Sequence, residues 1–127
     1  MTNTRRILLA EDDRFLRRAC ATALSRRGFH VVVAEDGEQA VQLAAAERPD
    51  LILLDLLMPK MSGRQVLEHM AADPALRDMP VVILTNSSRD SDLKNNHGGN
   101  VVGYYVKADL SLQALGDLVA SFFGGQS

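Results

Sequence analysis

Two periodicities alternate along the chain. Short apolar runs at Ile7-Leu8-Leu9-Ala10, Leu51-Ile52-Leu53-Leu54, Val81 to Leu84 and Val101 to Val106 lack the in-out alternation of a half-solvated strand. They read as strands buried on both faces, the pattern of a parallel sheet covered by helices. Phe29 to Ala34 adds a β-branched second strand. Between these runs the apolar positions switch to helical spacing. Phe15, Leu16, Ala19, Cys20, Ala23 and Leu24 form the apolar face of a first helix, with Gly28 where a C-terminal cap belongs. Asp36 caps a second helix with the stripe Ala40, Val41, Leu43 and Ala44, and Pro49 ends it. Ser62-Gly63 opens a helix carrying Val66, Leu67 and Met70, and Asp73-Pro74 marks a break before Pro80 and the fourth strand. Ser111 caps a last helix with Leu112, Leu115, Leu118, Val119 and Phe122 on one side. The weakest stretch is Arg89 to Asn100: Asp90 to Lys94 suits a helical turn, but Asn95-Asn96-His97-Gly98-Gly99-Asn100 is poor helix material, so a fourth helix here is expected to be short, distorted or mobile. Five strands and five helices in strict alternation predict an α/β fold with a doubly wound, five-stranded parallel sheet.

Length changes this picture little: 127 residues make one domain and one core. The net charge of −2 offers no basic excess for a phosphate backbone, so no direct nucleic-acid partner is expected. Arg14, Arg17, Arg18, Arg26 and Arg27 cluster on the first helix beside Glu11, Asp12 and Asp13, which reads as a solvated helix face. With one cysteine there is no intramolecular disulfide, and Cys20 on the apolar face reads as a small core residue. The apolar run after Met1 to Arg6 is too short for a signal peptide, and no stretch reaches membrane-spanning length, so a cytoplasmic protein without membrane contact is expected. Gly124-Gly125-Gln126-Ser127 reads as a frayed end or the start of a linker.

Chemistry collects at the strand ends. The first strand ends in Glu11-Asp12-Asp13, the third in Asp55 with Pro59 soon after, the fourth in Thr85-Asn86-Ser87 and the fifth in Lys107. In a parallel sheet all carboxyl ends share one edge, and ligands of open α/β sheets bind outside it. Carboxylates converging there repel: two unit charges about 4 Å apart cost roughly 4 kcal/mol at an effective dielectric near 20. A hard divalent cation relieves that repulsion, and an open oxygen-rich site suits Mg²⁺. Lys107 would add a fixed positive charge and Thr85 a hydroxyl, a set that would hold a tetrahedral dianion on Asp55. Singly, each has a bland reading, since a strand-ending Thr is usually just a strand residue and a strand-ending Lys is usually solvated. His30, His69 and His97 show no ligand spacing, and Met58 and Met61 read as loop and core filler.

The chain resembles the receiver domain of bacterial two-component response regulators, the CheY-like proteins. The motifs that carry the likeness are Leu8-Leu9-Ala10-Glu11-Asp12, Arg48-Pro49-Asp50-Leu51-Ile52-Leu53-Leu54-Asp55 and Met58-Pro59-Lys60-Met61-Ser62-Gly63. Val82-Ile83-Leu84-Thr85 and Gly103-Tyr104-Tyr105-Val106-Lys107 complete them, and the whole spans Ile7 to Phe123. The resemblance implies a single receiver domain over 1–127 with flavodoxin-like (βα)5 topology and strand order 2-1-3-4-5. It implies Asp55 as phosphoacceptor from a sensor histidine kinase or phosphotransfer protein. Mg²⁺, or Mn²⁺ in its place, would be held by Asp12 directly, Glu11 through water, Asp55 and the backbone carbonyl of Leu57. Thr85 would bond a phosphoryl oxygen, Lys107 would pair with the phosphate, Tyr104 would turn inward with Thr85 as a switch, and Asp13 would be peripheral. Phosphorylation would remodel the face made by the fourth helix, the fifth strand and the fifth helix for a downstream effector or a homodimer. No separate substrate would be turned over.

Three departures stand out. Ala108 follows Lys107 where the family usually has proline, often in a cis peptide, so a trans linkage and a different seat for Lys107 are expected. Leu57 stands where many relatives carry a polar residue, which implies a slow or altered dephosphorylation. The Asn/Gly-rich segment before Val101 departs too and leaves partner choice open. Two rivals remain. A haloacid-dehalogenase-type phosphatase would want an acid two positions after Asp55, where Leu57 stands; a degenerate receiver would dock partners without taking phosphate.

Overall fold

A computed structural model describes residues 4–86 and 100–124. The described strands are β1 (Arg6–Ala10), β2 (His30–Ala34), β3 (Leu51–Asp55), β4 (Pro80–Thr85) and β5 (Asn100–Val106). All pair in parallel, in the order β2-β1-β3-β4-β5. The helices are α1 (Arg14–Arg26), α2 (Gly37–Glu47), α3 (Gly63–Ala72) and a C-terminal helix (Leu112–Phe122), the last preceded by a 3₁₀ turn at Lys107–Asp109. This is the expected doubly wound, flavodoxin-like sheet. The expected fourth helix and the Asn/Gly-rich segment lie outside the described residues.

The alternation of β-strand side chains builds two cores, one on each face of the sheet. Leu8, Ala10, Ile52, Leu54, Val81 and Ile83 point to the side of α2 and α3 and meet Ala40, Ala44, Val66, Leu67 and Met70. Ile7, Leu9, Leu51, Leu53, Val82 and Leu84 point to the other side and meet Cys20, Leu24, Leu115 and Val119 of α1 and the C-terminal helix. The five positions of β3 are all buried, which is why this strand reads as an unbroken apolar run with an acid at its end. Met58 and Met61 pack against the α2–α3 core from the loop after β3.

Local signals set the boundaries. The side chains of Asp13, Asp36, Ser62 and Ser111 each accept a backbone N–H in the first turn of their helix. At Ser62 the bond is reciprocated by Gln65, a complete capping box. Gly28 leaves α1 at φ 94, a left-handed conformation that suits glycine.

Spacing misplaced some side chains. Phe15, expected on the apolar face of α1, is 83% exposed, and Leu112 and Phe122 at the two ends of the C-terminal helix are also exposed. All three sit in terminal turns, while the mid-helix positions Cys20, Leu24, Leu115 and Val119 are buried. The arginine cluster is not uniformly solvated either. Arg14, Arg18 and Arg26 are exposed. Arg27 pairs with Asp117 at 2.9 Å and lies over Gly116, closing α1 onto the C-terminal helix. Arg17 turns back to the sheet edge.

Candidate functional site

The carboxyl edge of the sheet brings four strand ends together. β1 ends one residue before Glu11, β3 ends in Asp55, β4 in Thr85, and β5 runs directly into Lys107. Glu11, Asp55 and Thr85 are at most 2% exposed, whereas Asp12 is exposed at the rim. One carboxylate oxygen from each of Glu11, Asp12 and Asp55 lies within 4.8 Å of the others. Lys107 Nζ donates to Glu11 Oε1 at 2.7 Å and stands 3.3 Å from Asp55 Oδ2. The peptide after Lys107 is trans, since no described peptide bond is cis. A 3₁₀ turn begins at Lys107, whose ammonium stands inside the acidic cluster.

Electrostatics follow from this crowding. Burial, and then the charge of Glu11, push the Asp55 carboxyl up to about 7, with a hydrogen bond to Glu11 adding to the rise. Lys107 and the Leu57 N–H oppose it, the latter donating to Asp55 Oδ1 at 3.3 Å. Burial alone would lower the Lys107 ammonium, but its bonds to Glu11 and Asp55 and their charges win, and the net shift is upward. The Cys20 thiol is raised, first by burial and then by the Glu11 charge, so it stays a neutral core group and no nucleophile.

Among the described residues, two buried carboxylates and one exposed one with one ammonium between them leave excess negative charge and several oxygen donors facing one space. That donor set fits a hard divalent cation with an open, partly hydrated shell. The remaining residues named from sequence fall nearby. Leu57 has a 60% exposed side chain in the loop after β3. Tyr104 is half-buried on β5 against the α2–α3 core, and Thr85 and Tyr104 both have interacting neighbours.

Asp13 has a definite job that differs from its neighbours'. Its Oδ1 accepts from Phe15 N at 2.9 Å and Leu16 N at 3.0 Å, and its own N–H donates to Glu11 Oε2 at 3.1 Å. Asp13→Ala is expected to lose about 1 kcal/mol in urea unfolding, the usual cost of a lost N-cap. Metal affinity should stay within about twofold, because Asp13 is outside the converging carboxylates.

The sequence reading missed Arg17. Its side chain is 12% exposed, and Nη1 donates to the carbonyl oxygens of Glu11 at 3.0 Å and Asp12 at 3.3 Å. Nη2 reaches Glu35 Oε1 at 3.5 Å. The signal was present only as spacing: Arg17 lies one helical turn past the cap, on the side of α1 that faces the acidic turn.

Comparison with known proteins adds the family context. Residues 7–117 match the family model described as "Response regulator receiver domain". The phosphate regulon transcriptional regulatory protein PhoB of Escherichia coli (strain K12) is 41% identical over 88 residues, which cover 69% of this chain and 38% of that protein. The chain thus matches little more than a third of the length of that curated relative. Among solved structures, the phosphorylated cyanobacterial phytochrome response regulator RcpA superposes with a TM-score of 0.81 at 30% identity, covering 98% of this chain and 97% of that one. The Mn²⁺-bound form of response regulator Rcp1 gives a TM-score of 0.80 at 28% identity, with 97% of both chains covered.

Proposed function

The chain belongs to the response regulator receiver domain family of two-component signalling, and from that premise we propose that it takes a phosphoryl group on Asp55 in a Mg²⁺-dependent transfer. The observation that carries this reading is the buried Asp55 at the end of β3, with Glu11 and Asp12 carboxylates within 4.8 Å and the Lys107 ammonium at 3.3 Å.

Asp55 is the nucleophile. Its carboxylate oxygen attacks phosphorus of a phosphohistidine, the P–N bond breaks, and the imidazole nitrogen leaves and takes up a proton. Glu11, Asp12, Asp55 and the Leu57 carbonyl would hold the cation. When bound, Mg²⁺ supplies positive charge to the transferring oxygens and draws Asp55 toward its ionised form. Lys107 sits where it can follow negative charge from Asp55 onto the phosphoryl oxygens, since its Nζ already bridges Glu11 and Asp55. Thr85, buried at the neighbouring strand end, offers its hydroxyl to a phosphoryl oxygen, and Tyr104 on the adjacent strand couples that movement to the surface.

The donor is a sensor histidine kinase or phosphotransfer protein. The output surface is the β5 side of the sheet with the C-terminal helix, where Val102, Tyr105 and Phe122 are exposed, and it would engage an effector or a second copy. The activity is self-phosphorylation and self-dephosphorylation without turnover of another substrate. We assign the chain to one receiver domain acting in the cytoplasm; no described helix is long and apolar enough to cross a membrane.

Phos-tag electrophoresis after incubation with acetyl phosphate tests the reading. A retarded band that needs both Mg²⁺ and Asp55, and is missing in Asp55→Asn, is the expected result. An Asp55→Asn band as strong as the native one would move the acceptor elsewhere, and no band with any donor would leave a docking module.

Leu57 bears on how long the phosphoryl group lasts. Its exposed aliphatic side chain beside Asp55 cannot orient an attacking water. Leu57→Asn is expected to change the dephosphorylation rate, with an increase of about tenfold, a small fraction of what a full general base supplies. Loss of the Phos-tag band over time reads it directly, and an unchanged decay would refute it.

A further inference from the structure

The loop after β3 is met by the junction between β2 and α2, Glu35-Asp36-Gly37. At Gly37 there is no room for a side chain. A Cβ there would overlap the carbonyl oxygen of Met61 and come within 2.6 Å of the Met61 carbonyl carbon and Cβ. The obstacle is backbone of the loop after β3, so a side chain at 37 displaces that loop. The Gly37 N–H also points to the Pro59 carbonyl at 3.5 Å. Asp36 is 6% exposed and divides its carboxylate: Oδ1 caps α2 through Gln39 N at 2.9 Å, and Oδ2 faces Lys60 Nζ at 3.7 Å. Lys60 is held at φ 68, a left-handed conformation that a lysine adopts only under constraint.

The same loop is fastened at its other end. Gly63 N donates to the Leu56 carbonyl at 2.9 Å, and a Cβ at Gly63 would stand 2.7 Å from the Asp55 carbonyl oxygen. Leu57 therefore lies between two backbone close approaches. Glu35 reaches the acidic turn through Arg17, whose guanidinium holds the Glu11 and Asp12 carbonyls. That outer ion pair is solvent-exposed on the Glu35 side and contributes little by itself. Gly37 is buried against the Met61 backbone, whereas Asp36 is itself buried but pairs with a lysine that is exposed.

We infer that Asp36 and Gly37 are positioning residues that clasp the loop after β3 and thereby set where the Leu57 carbonyl stands relative to Glu11, Asp12 and Asp55. The inference rests on the metal-dependent reading above. Neither residue touches the cation or the phosphoryl group. They act through the loop, as supporting residues around a metal site orient its ligands.

Mn²⁺ titration of the purified chain, followed by electron paramagnetic resonance, tests this without phosphorylation. Gly37→Ala is expected to weaken Mn²⁺ binding about tenfold, in the range of lost supporting contacts. Asp36→Asn keeps an N-cap acceptor and removes the charge facing Lys60, and should weaken it about threefold. Leu115→Ala, on the opposite face, lowers stability without touching the loop and should leave Mn²⁺ affinity native; its urea midpoint calibrates the effect of instability alone. If Gly37→Ala does not fold, Asp36→Asn decides. Native Mn²⁺ affinity in the folded clasp variants overturns the inference and leaves the metal reading intact. No Mn²⁺ binding by the native chain overturns both.

Discussion

Lys107→Met is expected to lose about 3 kcal/mol of stability near neutral pH, the lower end of the cost of stripping one partner from a buried ion pair. Methionine keeps the aliphatic stem and removes the charge, so Glu11 and Asp55, which lie 2.7 Å and 3.3 Å from Nζ, are left facing each other in a buried site. The pH dependence distinguishes charge from packing. Lys107 has a raised pKa in the folded chain, so its contribution is fully present below the ordinary lysine range and is lost only as pH rises through the shifted value. Between about pH 5 and 8 it is constant on the lysine side. The carboxylates change instead: Asp55, already pushed up to about 7 with Lys107 opposing the rise, goes higher in the variant. At low pH it takes a proton and the missing ammonium matters less. Urea unfolding of Lys107→Met should therefore show a deficit near pH 8 that shrinks toward pH 5. A pH-independent deficit would make the role of Lys107 one of packing. The same variant should lose at least about a hundredfold in Phos-tag labelling rate, the scale of one electrostatic stabiliser of the transferring group.

Asp55→Asn is expected to raise stability near pH 8. A carboxyl whose folded pKa is raised binds more protons folded than unfolded, so stability falls as pH climbs from the unfolded value toward the folded one. For Asp55 that window runs from the ordinary 3.8 to about 7, and above it the folded chain carries a buried charge it would release by unfolding. Removing that charge recovers up to roughly 4 kcal/mol, the free-energy equivalent of a shift of this size. In thermal unfolding each kcal/mol is a rise of about 4 °C for a domain of this size, so the full effect is up to about 15 °C. At pH 4 native and variant should converge. Millimolar MgCl₂ should raise the midpoint of the native chain, by linkage to the folded state alone, and do much less in Asp55→Asn. A variant no more stable than the native chain at pH 8 would mean that Lys107 fully compensates the acidic cluster.

Much of this was legible in the sequence because burial on both faces writes an unmistakable pattern. The apolar run ending in Asp55 had to be a central strand, and a parallel sheet then put Glu11, Asp12, Asp55, Thr85 and Lys107 on one edge without further assumption. What was not legible depends on where an element begins relative to the sheet beneath it. Phe15 has faultless helical spacing, but α1 starts only at Arg14, so its first turn stands at the end of the helix with Phe15 out in solvent. Arg17 looked like one more surface charge, since carbonyl acceptors leave no trace in composition. Asp36 read simply as a helix cap, and nothing in the sequence marked the Gly37 that follows it. That it touches Met61 depends on how α2 and the loop after β3 meet, and no local pattern encodes a backbone-to-backbone approach between segments more than twenty residues apart.

The pairing of Lys107 with Glu11 spans 96 residues and has a consequence for synthesis. A ribosome delivers Glu11 and Asp12 first, Asp55 midway and Lys107 near the end of the matched region. A nascent chain that has already exposed Asp55 still lacks the ammonium, and β5 with it, until residue 107 has been made. Closing so distant a contact is slow and comes late in assembly. The proposed chemistry is therefore gated by the arrival of β5 and Lys107: truncated products that retain Asp55 but stop short of them would be poor phosphate acceptors.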